Sequence, residues 1–223
     1  MKVYKFGGAS VKDAAGVRNL LDIVKGEDEL FIIVSAMGKT TNALEGVFEA
    51  MQLSDTALAM QRIDDSFSYH KSIIEELYNE GFVIEPVNAL FDQLRSTVQN
   101  TIYHKSDAEL WYDTIVAYGE LISTTIVSHF LNVNGVKNEW VDMRRAFLTN
   151  ARHKDANVNI EASELRLKRE MEGSDKRVFI GQGFIGGAPD GTTTTLGREG
   201  SDYSAAIVAN ILDAESMSVW KDV

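Results

Sequence analysis

The spacing of apolar positions changes along the chain, and each change predicts an element. Lys2 to Phe6 reads as a first strand, and Leu30 to Ser35 is a continuous apolar run, as expected of a strand covered on both faces. Between them Ala14, Val17, Leu21 and Val24 recur at helical spacing, behind a Ser10/Asp13 pair that resembles a capping box. Helical spacing returns over Thr40 to Met51, Ser54 to Asn79 and Val87 to about His104, with Pro86 where a first helical turn accepts proline. Ser106 with Glu109 offers another cap, and a helix is predicted onward through Trp111, Ile115, Tyr118, Ile122, Ile126 and Phe130. Asn138 to Met143 reads as a short strand and Ala162 to Met171 as a charged helix. Arg177 to Ile185 and Thr192 to Leu196 read as strands joined by a hairpin turn, Ala188-Pro189-Asp190-Gly191. A helix to about Leu212 and a strand, Ser216 to Lys221, end the pattern.

Strands alternating with helices predict an α/β fold, a three-layer α/β/α sandwich with a mostly parallel sheet. Residues 54–131 read as a helical elaboration on one edge, inside a single domain spanning 1–223. A last strand without a tail is expected of a catalytic domain cut short. Composition narrows the function classes. The formal charge is −11, from 33 acidic and 22 basic residues, which argues against a nucleic-acid binder. There are no cysteines, so thiolate, disulfide and Cys-ligated zinc chemistry are excluded, and a cytoplasmic setting is expected. The N-terminus lacks a signal-peptide core, no apolar run approaches bilayer length, and no membrane partner is expected.

Three stretches gather candidate chemistry at predicted strand ends, where open α/β folds place ligands. Thr192 to Ser204 reads as strand, Gly-rich turn (Gly197, Gly200) and helix start, with Ser201 or Asp202 as cap and Arg198 able to grip a carboxylate. Lys5-Phe6-Gly7-Gly8-Ala9-Ser10 sets a lysine and two glycines before a helix, suited to phosphate oxygens. Ser35 to Thr41 resembles a P-loop but has Ile33 where that pattern needs glycine. Gly181 to Gly186 matches a dinucleotide pattern, yet leads into a hairpin rather than a helix, so its glycines read as points of close backbone approach. Gly119-Glu120 lies in a largely apolar helix. Burial there would make an ammonium group the natural partner of Glu120, and a solvent-facing glutamate is the plainer alternative. The four histidines, His70, His104, His129 and His153, show no metal-ligand spacing and read as surface or helix residues.

Taken together, the motifs resemble the aspartokinases of the amino-acid kinase family, whose fold is carbamate kinase-like. Lys5 to Ser10 is similar to their K-F-G-G-[TA]-S, Val34 to Asn42 to V-S-A-x-x-x-x-T-N, and Gly119-Glu120 to a helical G-E. Gln182 to Gly186 is similar to Q-G-F-x-G, and Thr193 to Tyr203 to T-T-T-L-G-R-x-G-S-D-Y. The resemblance implies transfer of the γ-phosphoryl of ATP to the β-carboxylate of L-aspartate. ATP would arrive as its Mg²⁺ complex, with no tightly bound cofactor and no protein metal site. It places aspartate near Ser35, Thr41, Glu120, Phe184, Arg198, Ser201 and Asp202. Phosphates fall near Lys5, Gly7, Gly8 and Ser10, and the nucleotide near Lys221 and Asp222, in a W-K-D-V where the family has W-T-D-V. Lys5 is expected as the main transition-state cation, Glu120 with Asp202 as acceptors of the substrate ammonium, and Arg198 as the α-carboxylate ligand. The remaining nucleotide half and the regulatory ACT domains are expected outside this chain, and a homo-oligomer in the full-length protein. Two other readings stay open: another acyl-phosphate-forming kinase of the same fold, and a non-catalytic piece that binds an amino acid or mediates subunit contact.

Overall fold

The computed structural model describes residues 1–221; Asp222, expected near the nucleotide, lies outside them. The strands are β1 (Lys2–Phe6), β2 (Leu30–Val34), β3 (Asn138–Val141), β4 (Val178–Gln182), β5 (Ile185–Gly187), β6 (Thr193–Thr195) and β7 (Ser216–Trp220). Five of them form one sheet in the order β3-β4-β2-β1-β7, and every pairing in it is parallel. The helices are α1 (Ala14–Val24), α2 (Thr40–Gln52), α3 (Thr56–Leu77), α4 (Glu85–Asn100), α5 (Ala108–Val116), α6 (Tyr118–Val133), α7 (Met143–Ala146), α8 (Ile160–Met171) and α9 (Gly200–Ile211).

Successive strand residues point to opposite faces, which explains the unbroken apolar runs. Tyr4, Phe6, Ile32, Val34 and Ile180 enter one core with Val17, Leu44, Ile63, Phe91 and Ile126. Val3, Phe31, Ile33 and Phe179 enter a second core with Phe147, Leu167, Val208 and Ile211. Helices on both faces of a parallel sheet make the expected α/β/α sandwich. Only part of the 54–131 block extends away from the sheet. α6 lies directly on β2, β3 and β4, whereas α3 and α4 form an outer tier against α2 and α6.

Several boundaries differ from the sequence reading, each for a local reason. Asp13, not Ser10, caps α1: its Oδ1 accepts the Gly16 N–H at 2.8 Å. Ser10 lies in a 3₁₀ turn, Gly8–Val11, and donates its hydroxyl to the Trp220 carbonyl at 3.1 Å. The helix expected from Ser106 is two helices meeting at Ala117, preceded by a 3₁₀ turn without a side-chain cap. By length and hydropathy Lys105–Val133 could cross a bilayer, contrary to expectation, but its apolar window is 78% buried within the protein. The strand expected over Arg177–Ile185 breaks after Gln182, where Phe184 takes φ +69° and turns the chain out of the sheet. β5 then pairs antiparallel with β6 through the anticipated hairpin turn, closed by Gly191 N–H to the Ala188 carbonyl at 3.0 Å. Met143 begins the short α7 rather than ending β3, because Asp142 caps it by accepting the Arg144 N–H at 3.0 Å.

Candidate active site

A cleft of about 410 Å³ opens beyond the carboxyl ends of the central strands. Lys5, Gly8, Ser35, Thr41, Glu120, Phe184, Arg198, Ser201, Asp202 and Lys221 all line it. Residues up to 216 positions apart in sequence are thus gathered by β1, β2, α6, α9 and the end of β7. Gly7 and Ser10 are not brought into the lining. The Gly7 N–H donates to the Trp220 carbonyl at 2.9 Å, the same oxygen that accepts the Ser10 hydroxyl, so both tie β7 to the first turn. Gly8 does reach the cleft, and it must be glycine: a Cβ there would sit 2.5 Å from the Ala36 carbonyl oxygen.

Glu120 is 3% exposed, which settles the two readings of it in favour of burial. Its Oε1 accepts the Ala36 N–H at 3.2 Å, and its Oε2 is buried without a hydrogen-bond partner. Gly119 permits this approach, since a Cβ would stand 2.9 Å from Ala36 Cβ. Burial pushes the Glu120 carboxyl up to about 8, against the opposing pull of the Ala36 N–H, its own backbone N–H and Lys5. A buried carboxyl with one unmatched oxygen is a seat for a cationic group.

Asp202 is held differently. Lys5 Nζ lies 2.8 Å from its Oδ1 and Lys221 Nζ lies 2.6 Å from its Oδ2. Burial alone would raise the Asp202 carboxyl, but its bonds to Lys221 and Lys5 outweigh that and hold it below the usual range. Both of its oxygens face ammonium groups, Oδ1 without a well-aligned hydrogen bond, so a substrate ammonium shared with Glu120 would meet Asp202 beside these two lysines. Arg198 is exposed on the rim, and none of the ion pairs among the described residues uses it. Neither Ser201 nor Asp202 caps α9; the cap position is Glu199, at φ +57°.

Phe184, like Glu199, is a non-glycine residue of the site held in the left-handed region. A left-handed conformation costs a non-glycine residue about 1–2 kcal/mol. The turn is held by Phe184 N–H to Ser204 Oγ at 2.9 Å and Leu196 N–H to the Phe184 carbonyl at 2.8 Å. Ala36, Gly38, Gly197, Glu199 and Gly200 also line the cleft and were not singled out as ligand contacts in the sequence. Ala36 and the three glycines offer mainly backbone, which residue type does not signal. Among the described residues, no three His, Asp or Glu side chains converge as a metal site. His70 is the helix residue the sequence offered, but fully buried on α3, with Nδ1 2.7 Å from the Ser66 carbonyl, and desolvation lowers it to about 4.

A parallel α/β/α sandwich with a cleft at its strand ends, lined by both cations and carboxylates, defines a protein that seats a small charged molecule there. The model of the Amino acid kinase family matches residues 1–223, and the chain belongs to that family. Within it, the chain is similar to lysine-sensitive aspartokinase 3 of Escherichia coli (strain K12), 31% identical over 223 residues covering 99% of this chain and 49% of that protein. Aspartokinase 1, chloroplastic, of Arabidopsis thaliana is 30% identical over 233 residues, covering 99% of this chain and 40% of its own length. The crystal structure of E. coli aspartokinase III in complex with aspartate and ADP (R-state) superposes with a TM-score of 0.84 at 30% identity, covering 100% of this chain and 49% of that one. The chain therefore spans about half the length, or less, of these relatives.

Proposed function

We propose that this chain is the aspartate-binding part of an aspartokinase, an enzyme that transfers the γ-phosphoryl of ATP to the β-carboxylate of L-aspartate. The product, 4-phospho-L-aspartate, opens the route to lysine, threonine and methionine. The observation that carries the reading is the buried, half-satisfied Glu120 in the same cleft as Arg198 and Lys5. These groups suit the ammonium, the α-carboxylate and the reacting end of one small amino acid. The structure of E. coli aspartokinase III holding aspartate and ADP supports this choice of substrates.

The chemistry asks little of acid–base groups. A carboxylate nucleophile is ionised at neutral pH, so no general base is required. Catalysis rests on positioning and on neutralising the transferring phosphoryl group. Lys5, 5% exposed at the end of β1, is the main cation for that charge. Lys221 adds a second ammonium beside Asp202, and the Asp202 carboxylate fixes both lysines. Mg²⁺ enters as the ATP complex. Glu120 ionises when the substrate ammonium arrives, and Arg198 clamps the α-carboxylate with two parallel hydrogen bonds.

The test is the thermal shift of the chain with L-aspartate against L-glutamate, in wild type and in Arg198→Ala. A ligand that binds only the folded state raises Tm with its concentration. A shift with aspartate alone, lost in the variant, is the expected result. A larger shift with glutamate would sink the aspartate reading in favour of another amino-acid kinase. The part-length match to the relatives favours a second reading, in which this chain binds aspartate without turning it over. Trapping acyl phosphate with hydroxylamine in the presence of ATP separates the two: hydroxamate is formed under the first and absent under the second.

A further inference from the structure

Asp113, on α5, is fully buried and does not line the cleft. Its Oδ1 accepts the Thr195 hydroxyl at 2.6 Å and the Lys154 N–H at 3.1 Å. Its Oδ2 accepts the same N–H at 3.0 Å and faces His153 Nδ1 at 2.9 Å. A buried carboxylate is costly to keep, and an apolar residue would fill the position without that cost. The donors it gathers come from two separate segments. Thr195 ends β6, three residues before Arg198. Lys154 sits in the loop between α7 and α8 at φ +67°, a conformation that a lysine does not adopt unless held.

Those two segments are stacked on each other. The Ala156 N–H donates to the Thr195 carbonyl at 2.9 Å. Gly197, at φ +72°, rests on the same loop: a Cβ there would stand 3.1 Å from Asp155 Oδ1 and 3.3 Å from the Lys154 carbonyl oxygen. Lys154 Nζ lies 4.4 Å from the ring centroid of Tyr112, Asp113's neighbour on α5. α5 thus grips the loop, and the loop supports the turn that carries Arg198. His153, expected at the surface or on a helix, is part of this half-buried junction.

We infer that Asp113 is a positioning residue for the amino-acid site: it sets the Gly197 turn and thereby aims Arg198. The inference rests on the role given above to Arg198, and its test separates the two. Asp113→Asn keeps the side-chain volume but places an amide N–H₂ against donors. Amide hydrogen exchange is measured without ligand, and L-aspartate affinity in wild type, Asp113→Asn, Arg198→Ala and the double variant. The Lys154, Ala156, Leu196 and Gly200 amides should exchange at least about tenfold faster in Asp113→Asn, while the β1 and β2 amides keep their rates. L-Aspartate should bind about tenfold more weakly to Asp113→Asn than to wild type, but no more weakly to the double variant than to Arg198→Ala. A purely structural role would give additive losses instead. Unchanged exchange at the turn, or additive losses, overturns the inference. If wild type does not bind L-aspartate, the proposed function fails and the exchange measurement alone decides whether Asp113 holds the turn. Should Asp113→Asn not fold, Thr195→Val removes one donor at nearly constant shape and must accelerate exchange at Leu196 and Ala156.

Discussion

Glu120 concentrates the energetic tension of the site in one side chain. Its folded carboxyl titrates near 8, against 4.5 in an unfolded chain. Below about 4.5 both states hold the proton and the group does not affect stability. As pH rises from there towards 8, the unfolded state releases a proton that the folded state keeps, so folding stability falls across that window and levels off above it. Glu120→Gln should therefore be more stable than wild type at pH 8, with the gap closing at pH 4.5; denaturant titration at the two values checks this. Equal stability at both would mean that the group is solvated. A substrate ammonium should also discharge the Glu120 proton. L-Aspartate binding at pH 7 is then expected to release a proton, seen as a buffer-dependent calorimetric enthalpy that Glu120→Gln abolishes. Lys5 is the second decisive residue. Lys5→Met removes one of Asp202's two cations and should lower phosphoryl transfer by about 10²–10³-fold, with L-aspartate affinity changed much less. Activity within a few-fold of wild type would place the main cation elsewhere.

Among the elements, the first turn and β7 decide whether the cleft is whole. Gly7 and Ser10 both anchor the Trp220 carbonyl, so the end of β7 and the start of the 3₁₀ turn form one joint. Gly8→Ala would drive a methyl into the Ala36 carbonyl region and should cost about 1–3 kcal/mol, as overpacking does, while weakening ligand binding at the same joint. A variant as stable as wild type would show that the turn can shift freely. β7 is itself an edge strand whose residues are exposed or half-buried, unlike the fully buried β2. Its amides should exchange through local opening well before those of β2; equal rates in native-state exchange would make the sheet a single cooperative unit.

For the molecule as a whole, the charge of −11 opposes compaction, and the surface ion pairs offset little of it. Tm should rise when monovalent salt is increased from about 10 to 150 mM, because screening then reaches across about 8 Å. A fall would mean that ion pairs such as Arg177–Glu29 and Arg95–Asp64 dominate instead. Much of this architecture was legible in sequence. A strand buried on both faces favours apolar residues along its whole length, so β2 announced itself, and helices covering a sheet must repeat at their own period. The glycine-flanked motifs were legible because close backbone approach leaves few residue choices. Other features depend on contacts between distant segments. Nothing local to Ser10 distinguishes a helix cap from a strut for β7, and nothing local to Asp202 shows that Lys5 and Lys221 occupy both its oxygens. Asp113 and His153 lie 40 residues apart and gave no periodic or motif signal. Residue type along the chain was enough to give the layers, the parallel sheet and most of the side chains at the strand ends, because burial and backbone geometry constrain it position by position. Which charge meets which emerged with the fold, because Coulombic and hydrogen-bond partners are set by distances in space that spacing along the chain does not encode.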